Sequence, residues 1–250
     1  MAGKTNYSYV GIAFVLLVFG IIFIPKIVDR LSSTDVVREE SRTQNIGLTS
    51  EDGHPLAYIL YNDEKRKVPD FSFTNQMGET ISNKDYLGKV YVLEFFFSTC
   101  PSICPIMNRN LVTIQNQFPE SQDFGIASIT INPEFDTPEV LRAYAENYGV
   151  TNSNWHFLTG DKAAIYELAN VGFNLFVAED VEVAGGFEHS GNFVLIDKEG
   201  YIRSRLDDFG NPKIYYYGLD EDPEEENGQK EEISILIQDI NKLLNEHDHN

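Results

Sequence analysis

The chain has 250 residues, 42% of them hydrophobic and 23% charged, a globular composition that excludes both a wholly disordered polypeptide and a polytopic membrane protein. Nineteen Lys and Arg stand against 39 Asp and Glu, and the resulting net charge of −20 does not suit binding to a phosphate backbone, so no nucleic-acid partner is expected. With only 2 Cys, a multi-disulfide scaffold and an all-cysteine zinc site are also excluded, which leaves one disulfide, one redox couple or two ligands of a metal.

After a short segment over residues 1–8, Tyr9 to Ile24 reads YVGIAFVLLVFGIIFI without a charge. It is slightly shorter than the roughly 20 residues that span a bilayer. Tyr7 and Tyr9 before it, and Pro25 and Lys26 after it, resemble interfacial flanks. No small-x-small cleavage site follows Ile24, so the segment over 9–25 reads as an uncleaved single-pass anchor rather than a signal peptide. Lys26, Arg30 and Arg38 outnumber Lys4 and the terminal amine, so positive charge alone would not export the domain beyond the anchor.

Residues 26–67 are polar and mixed and read as a linker, with Leu56 to Tyr61 (LAYILY) a possible short strand. The domain is expected over 68–250. Pro69 and Asp70 open a strand-turn-strand around Met77-Gly78. Val90 to Phe97 is a run of β-branched and aromatic residues, the pattern of a buried strand. Pro105 to Gln117 has helical spacing, and Phe124 to Ile131 is a second strand. Thr137 and Pro138 cap and start a helix that Gly149 stops. Trp155 to Leu158 is a strand, and Asp161 caps a helix to about Asn170. Asn192 to Ile196 and Tyr201 to Arg205 form a hairpin around DKEG, and the span 230–246 holds a final helix whose amphipathic part is Ile233 to Leu244. Alternating strands and helices predict an α/β fold, a mixed sheet flanked by helices. Residues 206–229 interrupt it: Tyr215 to Tyr217 are followed by eight carboxylates and one lysine between Asp220 and Glu232, which reads as a solvated loop, or else as a docking surface for a basic partner.

The chemistry concentrates in Ser98-Thr99-Cys100-Pro101-Ser102-Ile103-Cys104-Pro105, where a strand hands over to a helix. Each cysteine precedes a proline and is biased out of the helical region, and Pro105 suits a first helical position, which makes Cys104 the expected N-cap. Both thiols would then sit at the positive end of a helix, an environment that favours thiolate for ligation or for disulfide exchange. His189 lies in Gly185-Gly186-Phe187-Glu188-His189-Ser190-Gly191, just before the Asn192 strand. In a thioredoxin-like sheet that strand neighbours the cysteine strand, and its preceding loop faces the thiols. Thiol-disulfide oxidoreductases of that fold carry a proline there; this chain presents a histidine.

Gly88-Lys89-Val90 leading to Phe95 through Pro105, Ile131 to Pro138, Trp155 to Gly160, and Glu188-His189-Ser190 followed by Leu195-Ile196-Asp197 resemble the Sco/SenC family of copper-delivery proteins over about Val68 to Arg205. The resemblance implies a thioredoxin-like domain held on the extracytoplasmic, periplasmic side by one helix. It implies copper, as Cu(I) or Cu(II), held by Cys100, Cys104 and His189, and delivery to the dinuclear centre in the copper-bearing subunit of cytochrome c oxidase. Other copper chaperones or thiol reductants would be further partners. Two positions depart from the family: Asn132 stands where it has Asp before Pro133, and Glu188 where it has Asp before His189. These bear on tuning and partner choice rather than on the ligands. Asp136 and Glu188 are candidates to orient groups around the site, Asp136 equally a cap or turn residue before Thr137.

Two thiolates and an imidazole suit Cu(I) and also hold Cu(II), whereas structural zinc calls for a fourth protein ligand. The rival readings are a thiol-disulfide oxidoreductase cycling Cys100 and Cys104 against a partner's cysteines or a peroxide, and a copper or redox sensor signalling through the Tyr215 to Tyr217 segment. His54 falls in the linker, His156 reads as structural, and His247 and His249 as terminal residues.

Overall fold

The computed structural model describes Phe19 and residues 56–119, 121–179, 185–206, 211–220 and 231–246. Among the described residues thirteen strands are defined in chain order: β1 (Ala57–Tyr58), β2 (Leu60–Tyr61), β3 (Glu64–Lys65), β4 (Ser72–Asn75), β5 (Thr80–Ser82), β6 (Val90–Phe96), β7 (Phe124–Thr130), β8 (Trp155–Thr159), β9 (Val177–Glu179), β10 (Phe187–His189), β11 (Asn192–Ile196), β12 (Ile202–Ser204) and β13 (Tyr216–Tyr217). The helices are α1 (Cys104–Gln117), α2 (Pro138–Tyr148), α3 (Lys162–Glu167) and α4 (Ile233–Asn245).

Nine strands form one sheet in the order β1-β12-β11-β6-β7-β8-β4-β5, with β13 added to β11. β6, β7 and β8 run parallel and the other neighbours antiparallel. This is the mixed sheet flanked by helices expected from the alternating pattern. All seven residues of β6 and all seven of β7 are buried, as central parallel strands covered on both faces require. Successive side chains serve opposite faces: Phe96 meets Tyr144 of α2 at 5.5 Å between ring centroids, while Phe95 meets Phe173 at 6.0 Å. Polar punctuation acts as expected. Thr137 Oγ1 accepts the Val140 N–H to cap α2, and Gly149 ends it in the left-handed region at φ 69°.

Three expectations are corrected. The linker boundary at residue 67 lies too late, because β1 pairs with β12 and Leu56 and Ile59 are buried; alternation too brief to read by period is completed by the sheet edge it joins. The helix capped by Asp161 ends at Glu167 and passes into a π-helical turn, Leu168–Phe173, whose exit Asn174 is left-handed. Tyr215 to Tyr217 are not part of a solvated loop. Tyr216 is buried, pairs with Phe193, and donates its hydroxyl to Asp239 Oδ2 of α4 at 2.9 Å. The cluster pattern concealed a strand of two residues. The acidic run 221–230 lies outside the described residues, and so does the apolar segment over 9–25 apart from Phe19. Among the described residues no helix is long and apolar enough to cross a membrane.

Candidate metal centre

β6 ends at Phe96, and the cysteine loop leaves it toward α1. Cys100 N–H donates to Phe97 O at 3.2 Å, which turns the loop back over the end of the strand. The helix begins one residue earlier than Pro105 suggested. Ile103 is the cap residue, its carbonyl accepting from Ile106 N–H at 2.9 Å and Met107 N–H at 3.0 Å, and Cys104 is the first helical residue. Pro105 is accommodated because the second helical N–H also lacks an intrahelical partner.

That one-residue shift separates the two thiols. Cys104 is fully buried, and Cys100 keeps 8% of its surface exposed. Cys104 backbone N–H points at Cys100 Sγ at 3.5 Å, so the free amide at the helix start serves the outer sulfur. The Cys104 thiol hydrogen bond, helped by the neighbouring amides, holds Cys100 down to about 3. Burial, with the adjacent Cys100 sulfur, pushes Cys104 well above the ordinary thiol range. The expectation that both thiols become acidic therefore holds for Cys100 alone. The inner thiol keeps the proton that the outer one uses.

β10 pairs with β9, with His189 opposite Val177, and this small hairpin carries the imidazole over the thiols. His189 Nδ1 lies 3.2 Å from the Ser190 carbonyl. A carbonyl only accepts, so Nδ1 carries the hydrogen and Nε2 presents its lone pair. That lone pair faces Cys104 Sγ at 3.1 Å. The Phe97 ring meets the imidazole edge-on at 5.7 Å and Phe187 at 5.1 Å, forming an apolar wall. The hairpin sits close: a Cβ on Gly185, which has φ 94°, would lie 2.9 Å from the Phe97 ring and 3.0 Å from Pro101. One donor atom from each of Cys100, Cys104 and His189 falls within 4.8 Å of the others. Sequence separation thus closes into one buried S, S, N constellation.

Asp136 lies under the loop, fully buried. It accepts the Ser98 N–H at 3.1 Å and hydrogen bonds from the Ser98 and Thr130 hydroxyls. It is thus a latch between the cysteine loop and the end of β7, and Thr137 beside it serves as the cap of α2. Glu188, in β10, pairs its backbone with Ala178 of β9, and its side chain is outside what the structure describes. His156 is half-buried beside Asn75 Nδ2 at 3.3 Å, far from the thiols in strand register, in keeping with a structural role.

One acidic residue escaped sequence reading. Glu94 is fully buried in β6; its Oε1 accepts the Ser128 hydroxyl at 2.8 Å, and Ser128 Oγ accepts Trp155 Nε1–H at 3.0 Å. Its Oε2 finds no hydrogen-bond partner among the described residues. Burial raises its carboxyl to about 8, so it is largely protonated at neutral pH. The available signal was a lone charge inside an otherwise apolar strand run.

The SCO1/SenC family model matches residues 60–221. The SCO1 protein homolog of Bacillus subtilis is 33% identical over 138 residues, covering 54% of this chain and 71% of the relative. Among solved structures, a SCO1/SenC family lipoprotein from Bacillus anthracis superposes with a TM-score of 0.58 at 28% identity, over 72% of this chain and 95% of that one. BsSco, described as a member of the Sco family of cytochrome c oxidase assembly proteins with a disulfide switch, gives 0.57 at 27% identity, over 73% and 95%. With the family pattern spanning more than half of the polypeptide and enclosing both cysteines and the histidine, the chain belongs to the SCO1/SenC family.

Proposed function

We propose that this protein binds one copper ion through Cys100 Sγ, Cys104 Sγ and His189 Nε2 and passes it to the dinuclear copper centre of cytochrome c oxidase. Copper is the cargo, and no turnover of the protein itself is required. The observation that carries the reading is the lone-pair nitrogen of His189 held 3.1 Å from Cys104 Sγ, with Nδ1–H committed to Ser190 O. Fixing one ring nitrogen by a backbone carbonyl presents the other as a metal ligand. Two sulfurs and one imidazole match copper in either oxidation state, and a three-donor set leaves a position through which an acceptor's ligand can enter. Membership of the family supports the same cargo, and the description of BsSco as an oxidase assembly protein supports the destination. The apolar segment over 9–25 would hold the domain on the extracytoplasmic side of the membrane.

The test is copper stoichiometry and affinity of the full chain in detergent, reduced anaerobically, against His189→Ala. One tightly held copper, weakened at least tenfold by the substitution, supports the reading. Binding indifferent to His189, or no specific copper, rejects it.

A second reading rests on the asymmetry of the thiols. Cys100 is the exposed, acidic member and Cys104 the buried, protonated one, the division of labour of a dithiol that opens a partner's disulfide by attack of the outer sulfur. Delivering copper to thiol ligands requires those thiols reduced, so both activities could belong to one protein.

A further inference from the structure

We propose that Asn110 and the segment Lys213–Asp220, which includes β13, form a strap that holds His189 against Cys104, with Asn110 a positioning residue for metal binding; this rests on the assignment of that pair as copper ligands. The two ligands come from separate elements. Cys104 opens α1, and His189 ends β10, two residues before Gly191. The strap bridges them a second time, further along α1 and just past the end of β10. Asn110 lies six residues into α1 from Cys104, about 9 Å along the helix axis. Its Nδ2 donates to Gly218 O at 3.0 Å and to Asp220 Oδ1 at 3.1 Å. Gly218 N–H in turn donates to Gly191 O at 2.8 Å. The path Cys104, α1, Asn110, Gly218, Gly191, His189 is thereby a closed ring whose last link is the sulfur–imidazole contact.

The apposition leaves no slack. A Cβ on Gly218 would meet the Phe193 ring at 2.9 Å and Gly191 O at 3.1 Å, and a Cβ on Gly191 would meet Leu219 at 3.2 Å. Gly218 therefore lies where the strap backbone closes on Gly191 O and the Phe193 ring, and Gly191 where the Leu219 side chain packs on it, reasons separate from turn conformation. The strap is itself anchored away from the site. Tyr217 N–H donates to Glu232 Oε2 at 2.8 Å, Lys213 pairs with Glu232, and the Tyr216 hydroxyl bonds Asp239, which ties the strand to α4. The Tyr215 hydroxyl donates to Phe173 O at the end of the π-helical turn, and this turn leads into β9, the partner of the histidine strand. One short segment thus touches α1, β11, α4 and the approach to β9, the elements that carry or brace Cys104 and His189. Groups that orient metal ligands typically govern affinity by about 10–100-fold. Asn110 is the sole side chain through which α1 itself is bonded to the strap among the described residues.

The experiment compares Asn110→Ala with the wild-type full chain in detergent, and uses Asn83→Ala, which removes the hydrogen bonds of Asn83 with Asp70 and the Phe71 N–H elsewhere, as the control. Two readouts are taken. In the metal-free reduced protein, hydrogen exchange of the amides from Phe187 to Phe193 is expected to accelerate severalfold in Asn110→Ala and to stay unchanged in Asn83→Ala. With copper added, affinity by chelator competition is expected to fall about tenfold, and the nitrogen hyperfine coupling of the Cu(II) form to weaken. Unchanged exchange over 187–193, or wild-type affinity and coupling despite faster exchange, overturns the strap. If the wild type binds no copper but exchange responds as expected, the copper assignment fails while the strap stands as the brace of the thiol–imidazole pair.

Discussion

Cys104 and His189 stand 85 residues apart in the chain and 3.1 Å apart through Sγ and Nε2. The contact forms between a helix start and a hairpin end, neither of which positions the other through covalent geometry. Its direction follows from a backbone carbonyl: Ser190 O takes the Nδ1 hydrogen, so the nitrogen turned toward sulfur is the one with a lone pair. The Nε2 lone pair and Cys104 Sγ thus stand as two converging donor atoms once the thiol gives up the proton it directs at Cys100.

The thiols should react unequally. In the reduced, metal-free chain, iodoacetamide is expected to modify Cys100 before Cys104, as mapped by mass spectrometry. Because Cys100 stays ionised down to about 3, its rate should be nearly flat from pH 8 to pH 5, where an ordinary thiol loses about tenfold per unit. Initial modification at Cys104, or a Cys100 rate that falls tenfold per unit below pH 8, would reject this division between an acidic outer and a protonated inner thiol.

Asp136 should matter to stability before it matters to copper. Asp136→Ala leaves the Ser98 N–H and two hydroxyls without their buried acceptor. The expected loss is about 3 kcal/mol, from the cost of leaving buried donors unmatched. Chemical denaturation measures it, and amide exchange at Ser98 should rise in parallel. A variant as stable as the wild type would show that the loop holds its shape without the latch.

Glu94 sets a pH dependence of stability. Unfolded, its carboxyl ionises near the ordinary 4.5, whereas burial holds the folded one to about 8. Between these values the unfolded chain has released a proton that the folded chain retains. The unfolding free energy contributed by this group therefore falls as pH rises through that window, by up to about 1.4 kcal/mol per unit, and levels off above 8. Glu94→Gln is expected to flatten that part of the profile, read from urea midpoints between pH 5 and 9. An unaltered slope in the variant would mean that Glu94 is charged in the native state.

Much of the architecture was legible because local chemistry and global fold agree. VYVLEFF reads as a buried strand because both faces of β6 are covered, and Thr137-Pro138 with Gly149 marks both ends of α2 by capping physics alone. The elements that escaped are short and depend on partners. β9, β10 and β13 have two or three residues each, too few for a period, and exist because a longer strand or a hairpin mate completes their hydrogen bonds. The start of α1 moved from Pro105 to Cys104 because a proline tolerated at the second helical position has no unique signature at the first.

By itself, the sequence determined the donor set: its two cysteines bracketed by prolines after a buried strand, and a histidine among glycines before another, identify sulfur and imidazole chemistry and carry the family's pattern. What the tertiary structure alone decided is which sulfur is acidic, which nitrogen faces it, and what holds the two together. Those properties depend on burial depth, on the Ser190 carbonyl and on Gly218 against Gly191, all set by contacts between segments that are distant in the chain. Residue type dictates which atoms can bind a metal; the dielectric and the hydrogen-bond partners around them, supplied only by folding, dictate in what state they are offered.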